Sequence, residues 1–203
     1  MSKARLESFS DAVFAIAITL LVLLIRIPTP GDGPLLRSLG RLWPAYAAFV
    51  VSFFTVGIIW VNHHAQFARI ARVDRTLLFL NLLLLMWVSL LPFPTALVAD
   101  FLRTGHGRHL ATAVYAGVLL AMSLSFSLLW RYARHAHLLH EALSDDSVRH
   151  LTRRNMLGQC AYSIALAIAF LSPAGSLVIC GAVALYYVHP GRGPVEEITP
   201  QEV

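Results

Sequence analysis

Apolar residues in this chain come in long blocks that short polar segments separate. Nearly charge-free windows cover about 9–25, 43–61, 76–99 and 110–130, and a longer apolar block covers 155–188. A helix needs about 17 to 25 apolar residues to cross the hydrocarbon core of a bilayer, so each window predicts one transmembrane helix. The turn signal Ser172-Pro173-Ala174-Gly175 divides the last block into two. The pattern therefore predicts an all-α chain with six spans.

Composition agrees with a membrane protein. Hydrophobic residues make up 57% of the chain and charged residues only 13%, whereas soluble domains carry about 25% charged residues. The net charge of +5 does not predict a nucleic-acid partner, because the arginines lie between apolar blocks rather than along one helix face. Basic residues concentrate on the cytoplasmic side of membrane proteins. Both termini are therefore predicted to be cytoplasmic, which leaves five basic residues outside: Arg26, Arg37, Arg41, Arg103 and Arg108.

Polar side chains stand at one end of the first three predicted spans. Asp11 lies at the mouth of the first span, where a carboxylate persists only if it is paired, hydrogen-bonded or facing water. With both termini inside, distant sequence positions converge at this depth. The network that we predict consists of Arg5, Ser10, Asp11, Trp60, His63 and Asn81. We expect Asp11 to bind a histidine, an asparagine or Arg5, and the network either to clasp the three helices together or to act in ion or proton transfer.

The first span also carries a narrow apolar stripe. At about 100° per residue, Ile16, Leu20 and Leu23 lie within about 60° of one another, with Thr19 and Ala12 beside them. Branched apolar rings can gate ions by dewetting, but any membrane helix presents an apolar stripe to its surroundings. The stripe is therefore compatible with a pore lining and with an ordinary lipid or helix contact.

Signals for catalysis and for a bound metal are absent from the sequence. There is no GxSxG, HExxH or P-loop motif, so we do not predict an enzyme. Cys160 and Cys180 form no CxxC pair, and the segment with His135, His137, His140 and Glu141 lacks the second ligand pair that zinc sites show. We predict neither a metal nor a cofactor. A TVGYG-like potassium filter is missing as well.

The run Arg5-x-x-x-Phe9-Ser10-Asp11 resembles the RxxxFSD signature that opens the first helix in the transmembrane protein 175 family of potassium channels. Three further motifs extend the resemblance over the first half of the chain: Trp60-x-x-His63, Asp74 with Asn81, and Pro92-Phe93-x-Thr95. The last three spans match the family only in hydropathy and length. The chain has one six-helix unit, so it resembles the prokaryotic, single-repeat form.

The resemblance implies a homotetramer in a prokaryotic plasma membrane, with four copies of the first helix around a central pore. It implies that Ile16, Leu20 and Leu23 form stacked apolar constrictions and that Thr19 adds a hydroxyl layer. It also implies that Arg5, Ser10 and Asp11 belong to a hydrogen-bonded network that positions this helix. The expected function is a potassium-permeable cation channel, which passes potassium and other monovalent cations passively. The channel domain is predicted over 1–190, and a disordered cytoplasmic tail over 191–203.

Two other functions remain open from the sequence. Asp11 with His63 or His64 could serve as the proton relay of a proton-coupled secondary transporter. A transporter of that kind moves its substrate uphill when a proton gradient is applied, and a channel does not. A non-conducting scaffold is the third candidate, and protein in liposomes would then pass no ions.

Overall fold

The computed structural model describes residues 2–29, 31, 33–140 and 145–188, and all regular structure in these ranges is helical apart from one isolated bridge. A 3-10 turn at Leu21–Leu24 continues the first helix. The α-helices are α1 Lys3–Leu20, α2 Leu35–Arg41, α3 Trp43–Phe67, α4 Arg75–Leu90, α5 Pro92–Thr104, α6 Arg108–His135, α7 Asp145–Ala169 and α8 Pro173–Val188. The all-α prediction is confirmed.

Each predicted span coincides with one helix or helix pair, but the helices are longer than the apolar windows. α1 begins at Lys3, and α6 continues to His135. A transmembrane helix can extend beyond the hydrocarbon core of the bilayer, so its ends need not coincide with those of the apolar window. The third span divides into α4 and α5 at Leu91, directly before Pro92. Proline lacks the amide hydrogen that would continue the helical ladder. The third span is therefore interrupted at this proline.

Four helical segments in the described part of the chain are long and apolar enough to cross a membrane: Lys3–Leu24, Trp43–Phe67, Arg75–Leu102 and Arg108–His135. α8 is apolar but has 16 residues. The fold is thus that of a multi-pass membrane protein. The count of six spans stays a prediction.

Two parts of the chain differ from the sequence interpretation. α2, between the first two spans, was not predicted, because seven residues are too few to show a helical period. The segment from Arg131 to Arg154, which lies between apolar windows and was not predicted to be helical, is the second part. Its two ends belong to α6 and α7, and Leu138 between them is buried. Glu141 lies outside the described residues.

The core has two parts, and the smaller one defines an end of the bundle. The larger cluster is centred on α6 and contains Phe14, Leu84, Tyr115 and Met122. The smaller cluster consists of Leu6, Phe67, Ile70, Leu77, Leu129, Ala133 and Leu138. It therefore brings the start of α1 beside the ends of α3 and α6 and the start of α4. We call this the N-terminal end of the bundle.

Backbone hydrogen bonds hold the connections together at the N-terminal end. The amide of Ala71 donates to the carbonyl of Leu138 at 2.8 Å, and the amide of His140 donates to the carbonyl of Arg69 at 3.1 Å. These bonds join the α3–α4 loop to the segment after α6. The loop is consequently fixed where the polar ends of the first helices meet.

Candidate pore helix and polar network

α1 has one face buried in the bundle and one face exposed. Its buried residues are Leu6, Ser10, Phe14 and Ala17, and Leu21 continues the series in the 3-10 turn. Steps of three and four residues keep all five on one side of the helix. This side packs against α3 and α4, so the orientation of α1 about its own axis is set by contacts within one chain.

The predicted stripe lies on the exposed side of α1. Ile16 is 59% exposed, Leu20 43% and Leu23 73%, and Thr19 is exposed beside them. The Thr19 hydroxyl donates to the carbonyl of Ile16 at 2.9 Å. The hydroxyl oxygen keeps two lone pairs that this bond does not use. Much of the surface of this stripe is therefore uncovered in a single chain, and lipid or further copies of the chain could cover it.

A directed hydrogen-bond chain ties α1 to α3 and α4 on the buried side. His63 Nε2 lies 2.8 Å from Asn81 Oδ1, and Asn81 Nδ2 donates to Ser10 Oγ at 2.9 Å. The Ser10 hydroxyl then donates to the carbonyl of Leu6 at 2.9 Å. Since the Asn81 oxygen accepts, His63 must carry a proton on Nε2. All three side chains are buried.

Aromatic rings enclose the imidazole of His63. The ring of Phe67 stacks on it with centroids 4.3 Å apart, and the ring of Phe14 lies at 5.3 Å. Only 2% of His63 is exposed, whereas His64, about 100° further around α3, is exposed. Of these two neighbouring histidines, His63 is therefore the one that joins the polar network.

Asp11 has a different partner from the ones expected. The indole nitrogen of Trp60 donates to Asp11 Oδ1 at 2.8 Å, and both side chains are exposed. Among the described contacts, none bonds Asp11 to a histidine, an asparagine or Arg5. The expected partner of Asp11 was thus wrong. Ser10 occupies the buried position on α1, and Asp11, the next residue, lies about 100° further around the helix on an exposed side. Arg5 is exposed and makes no described hydrogen bond to the network.

A second buried chain of hydroxyl groups was missed by sequence reasoning. Ser52 Oγ lies 2.9 Å from Thr95 Oγ1 and 3.2 Å from Tyr115 OH. Thr95 donates to the carbonyl of Leu91 at 2.8 Å, so Ser52 donates to Thr95 and Tyr115 donates to Ser52. This chain joins α3, α5 and α6. Its only sequence signal was Thr95, in the motif Pro92-Phe93-x-Thr95.

Asp74 belongs to a helix cap rather than to the network. Its Oδ1 accepts from the amide of Leu77 at 2.8 Å, which caps α4. Its Oδ2 accepts from the hydroxyl of Tyr132 on α6. Asp74 therefore fixes the start of the helix that carries Asn81.

An ion pair holds the chain beyond the exposed stripe. Arg26, two residues after the 3-10 turn, lies 2.7 Å from Asp100 on α5, and both groups are partly exposed. The end of α1 is thus attached to the neighbouring helix by charge as well as by packing.

Proteins of known class are similar to this chain over nearly its whole length. It is 48% identical over 185 residues to a potassium channel of Streptomyces collinus, and the match covers 90% of each chain. A potassium channel of Chamaesiphon minutus is 43% identical over 190 residues, which cover 90% of this chain and 92% of the relative. The crystal structure of a lysosomal potassium-selective channel TMEM175 homolog from Chamaesiphon minutus matches with a TM-score of 0.83 and 40% identity, over 92% of this chain and 96% of that one.

Fold, site and similarities together define a multi-pass helical membrane protein of the ion-channel class, which is not a class of enzyme. The family model described as endosomal/lysosomal potassium channel TMEM175 matches residues 5–92. That range contains every site residue predicted from the sequence. The chain belongs to the TMEM175 family, and the resemblance inferred from the RxxxFSD run is confirmed.

Proposed function

We propose that four copies of this chain form a channel that conducts potassium and other monovalent cations passively. The supporting comparisons are the bacterial relatives named potassium channels, which match about nine tenths of the chain. In this proposal six segments of each subunit cross the bilayer: α1, α3, the α4–α5 pair, α6, α7 and α8. The N-terminal end faces the cytoplasm of a prokaryote, in keeping with the basic residues of the α3–α4 loop. No cofactor is needed.

The observation that carries the pore assignment is the exposed stripe on α1. Its opposite side is packed into the subunit, so four α1 helices around an axis would present Ile16, Leu20 and Leu23 to one another. Rings of branched apolar side chains form a dewetted constriction when they are narrow and pass ions when they widen. Thr19, with its hydrogen bonded inside its own helix, would offer oxygen lone pairs to a passing cation.

The polar network would set the position of α1 and hence the width of these rings. Ser10, Asn81 and His63 fix the buried side of the helix. Asp11 with Trp60 adds a second attachment to α3 near the same depth. The network lies on the side of α1 that faces away from the stripe. This arrangement supports a positioning role rather than ion coordination for Ser10, Asp11, Trp60, His63 and Asn81, and we place Arg5 with them on the resemblance alone.

Reconstituted protein under bi-ionic potassium and sodium conditions tests the function. We expect unitary currents with a potassium-favouring reversal potential. In a separate flux assay, a proton gradient should drive no uphill potassium movement. Coupled uphill flux would instead establish the transporter, and liposomes that pass no ions would establish the scaffold.

A further inference from the structure

α5 begins at a weak point in the helical hydrogen-bond ladder. Pro92 and Pro94 have no amide hydrogen. The carbonyls of Val88 and Leu90 therefore lack the donor that an uninterrupted helix supplies four residues further on. The Val88 carbonyl accepts instead from the amide of Leu91 at 3.2 Å. Backbone bonds thus hold the start of α5 to the end of α4 less firmly than they hold the turns of an uninterrupted helix together.

Hydroxyl groups attach this weak point to two neighbouring helices. Thr95, in the first turn of α5, donates to the carbonyl of Leu91 at 2.8 Å and lies 2.9 Å from Ser52 Oγ on α3. The hydroxyl of Tyr115 on α6 lies 3.2 Å from the same Ser52 oxygen. All three of these side chains are buried. Ser and Thr side chains and neighbouring helices are the usual supports for a transmembrane helix that proline interrupts, so α3 and α6 hold the start of α5.

The rest of α5 supports the segment that ends α1. α5 packs against the 3-10 turn Leu21–Leu24, and Asp100 on α5 lies 2.7 Å from Arg26, two residues beyond that turn. The turn carries Leu23, which is 73% exposed and is the last residue of the stripe. A change in the position of α5 would therefore change the surroundings of Leu23.

We propose that Ser52, Thr95 and Tyr115 are positioning residues for the outer constriction of the pore. Their hydrogen bonds hold α5 in place, and α5 in turn holds the turn that carries Leu23. The inference rests on the proposed channel function and extends it to side chains that are buried inside the subunit, away from the stripe. When these hydrogen bonds break, α5 moves at the proline interruption, and the ring at Leu23 changes its width more often.

Hydrogen exchange of the full-length protein in lipid nanodiscs measures how firmly α5 is held. Tyr115→Phe keeps the ring and removes only the hydroxyl. The amides of residues 96–102 should then exchange about fivefold faster, the factor that corresponds to one buried hydrogen bond of ordinary strength. The amides of Leu21–Leu24 should also exchange faster, and those of residues 75–83 in α4 should not. Ser52→Ala removes the middle hydroxyl and is a second variant with the same expected result.

Ser125→Ala is the matched control for the loss of a buried hydroxyl on α6. Ser125 is buried in the same helix as Tyr115, but its described hydrogen bond goes to the carbonyl of Ala121, one turn earlier in α6. This variant should leave the exchange of α5 nearly unchanged. If the hydroxyl groups only stabilised the subunit as a whole, exchange would instead become faster in all helices alike.

Single-channel recording of the same variants tests the link between α5 and the constriction. Tyr115→Phe should raise the frequency of transitions between conducting and non-conducting states severalfold. The permeability ratio of potassium to sodium should stay the same, because no ion path residue has changed. Pro92→Ala supplies an amide donor for the Val88 carbonyl and should reverse both effects in the Tyr115→Phe background, the faster exchange of residues 96–102 and the higher transition frequency.

Two results would overturn the proposal. One is unchanged exchange of residues 96–102 in Tyr115→Phe and Ser52→Ala, or exchange that is faster in all helices alike. The other is faster exchange of α5 with an unaltered transition frequency, since α5 would then not act on the constriction. Absence of current in the unmodified protein would instead contradict the proposed channel function, and exchange alone would then decide whether the hydroxyl groups hold α5.

Discussion

Asn81 on α4 donates a hydrogen bond to Ser10 on α1 at 2.9 Å, across 71 residues of sequence and with both side chains fully buried. The same amide accepts from His63 through its oxygen. Asn81 is therefore the central member of the network, and its removal would leave two buried polar groups without their partner. Such groups are costly inside a membrane protein as in any low-dielectric core.

Asn81→Ala should lower the stability of the protein by about 1–3 kcal/mol, because Ser10 and His63 each lose a buried hydrogen bond. Thermal unfolding of the detergent-solubilised protein measures the loss. Asn62→Ala is the matched control, since Asn62 donates only to the carbonyl of Ile58 in its own helix. Equal losses in the two variants would show that the network does not hold α1.

Asp11→Ala should impair assembly or gating more than ion preference, because the Asp11–Trp60 bond attaches α1 to α3 outside the stripe. Tetramer yield and reversal potential separate these effects. Trp60→Phe removes the same bond from the other side, and the double variant should be no worse than either single one. An intact oligomer with lost selectivity in Asp11→Ala would assign Asp11 to the ion path instead.

Ile16→Asn should raise leak conductance severalfold, because an amide hydrates the ring that Ile16 is proposed to form. Single-channel recording measures the change. Val22→Asn serves as the control, since Val22 is exposed but lies about 120° from Ile16 around the helix. If conductance and selectivity of Ile16→Asn match those of the unmodified protein, Ile16 does not line the pore.

Asp100→Asn should reduce potassium conductance at low salt, because it leaves the Arg26 charge beside the proposed outer mouth without the carboxylate that lies 2.7 Å away. Interactions between exposed charges reach about 30 Å at 0.01 M salt but only about 3 Å at 1 M, because dissolved ions screen them. The reduction in conductance should therefore vanish at high salt. Stability should change by less than about 1 kcal/mol, as for exposed ion pairs.

Two further variants check the origin of that effect. Arg26→Gln combined with Asp100→Asn should restore conductance at low salt. Asp146→Asn, which breaks an ion pair with Arg149 in α7, should leave conductance unchanged. A reduction that persists at 1 M salt would point to a structural role for Asp100 rather than an electrostatic one.

Much of the fold could be predicted because the bilayer imposes a simple length rule on apolar segments. The rule finds α1, α3 and α6, but it cannot find their ends, since Lys3 and His135 continue helices beyond the apolar windows. α2 was not predicted, because its seven residues are too few to show the helical period of hydrophobic positions.

The candidate site was predictable in part. The predicted topology placed Ser10, His63 and Asn81 together because all three lie near the ends of spans at one depth, and hydrogen bonds join them in the structure. The partner of Asp11 depends on how α1 is rotated about its own axis. Packing of α1 against its neighbours decides this rotation, and it buries Ser10 rather than Asp11. The hydrogen-bonded hydroxyl groups of Tyr115, Ser52 and Thr95 lie on three different helices. No sequence pattern within one helix predicts that these groups meet at the same depth.

Thiol accessibility in the conducting channel tests most directly whether α1 lines the pore. In a Cys160→Ser background, which removes the exposed native thiol, single cysteines replace Ile16, Leu23 or Val22. We predict that a cationic thiol reagent blocks potassium current in the Ile16 and Leu23 variants and leaves the Val22 variant unaffected. Block that is absent from all three, or equal in all three, would contradict a pore lined by this face of α1.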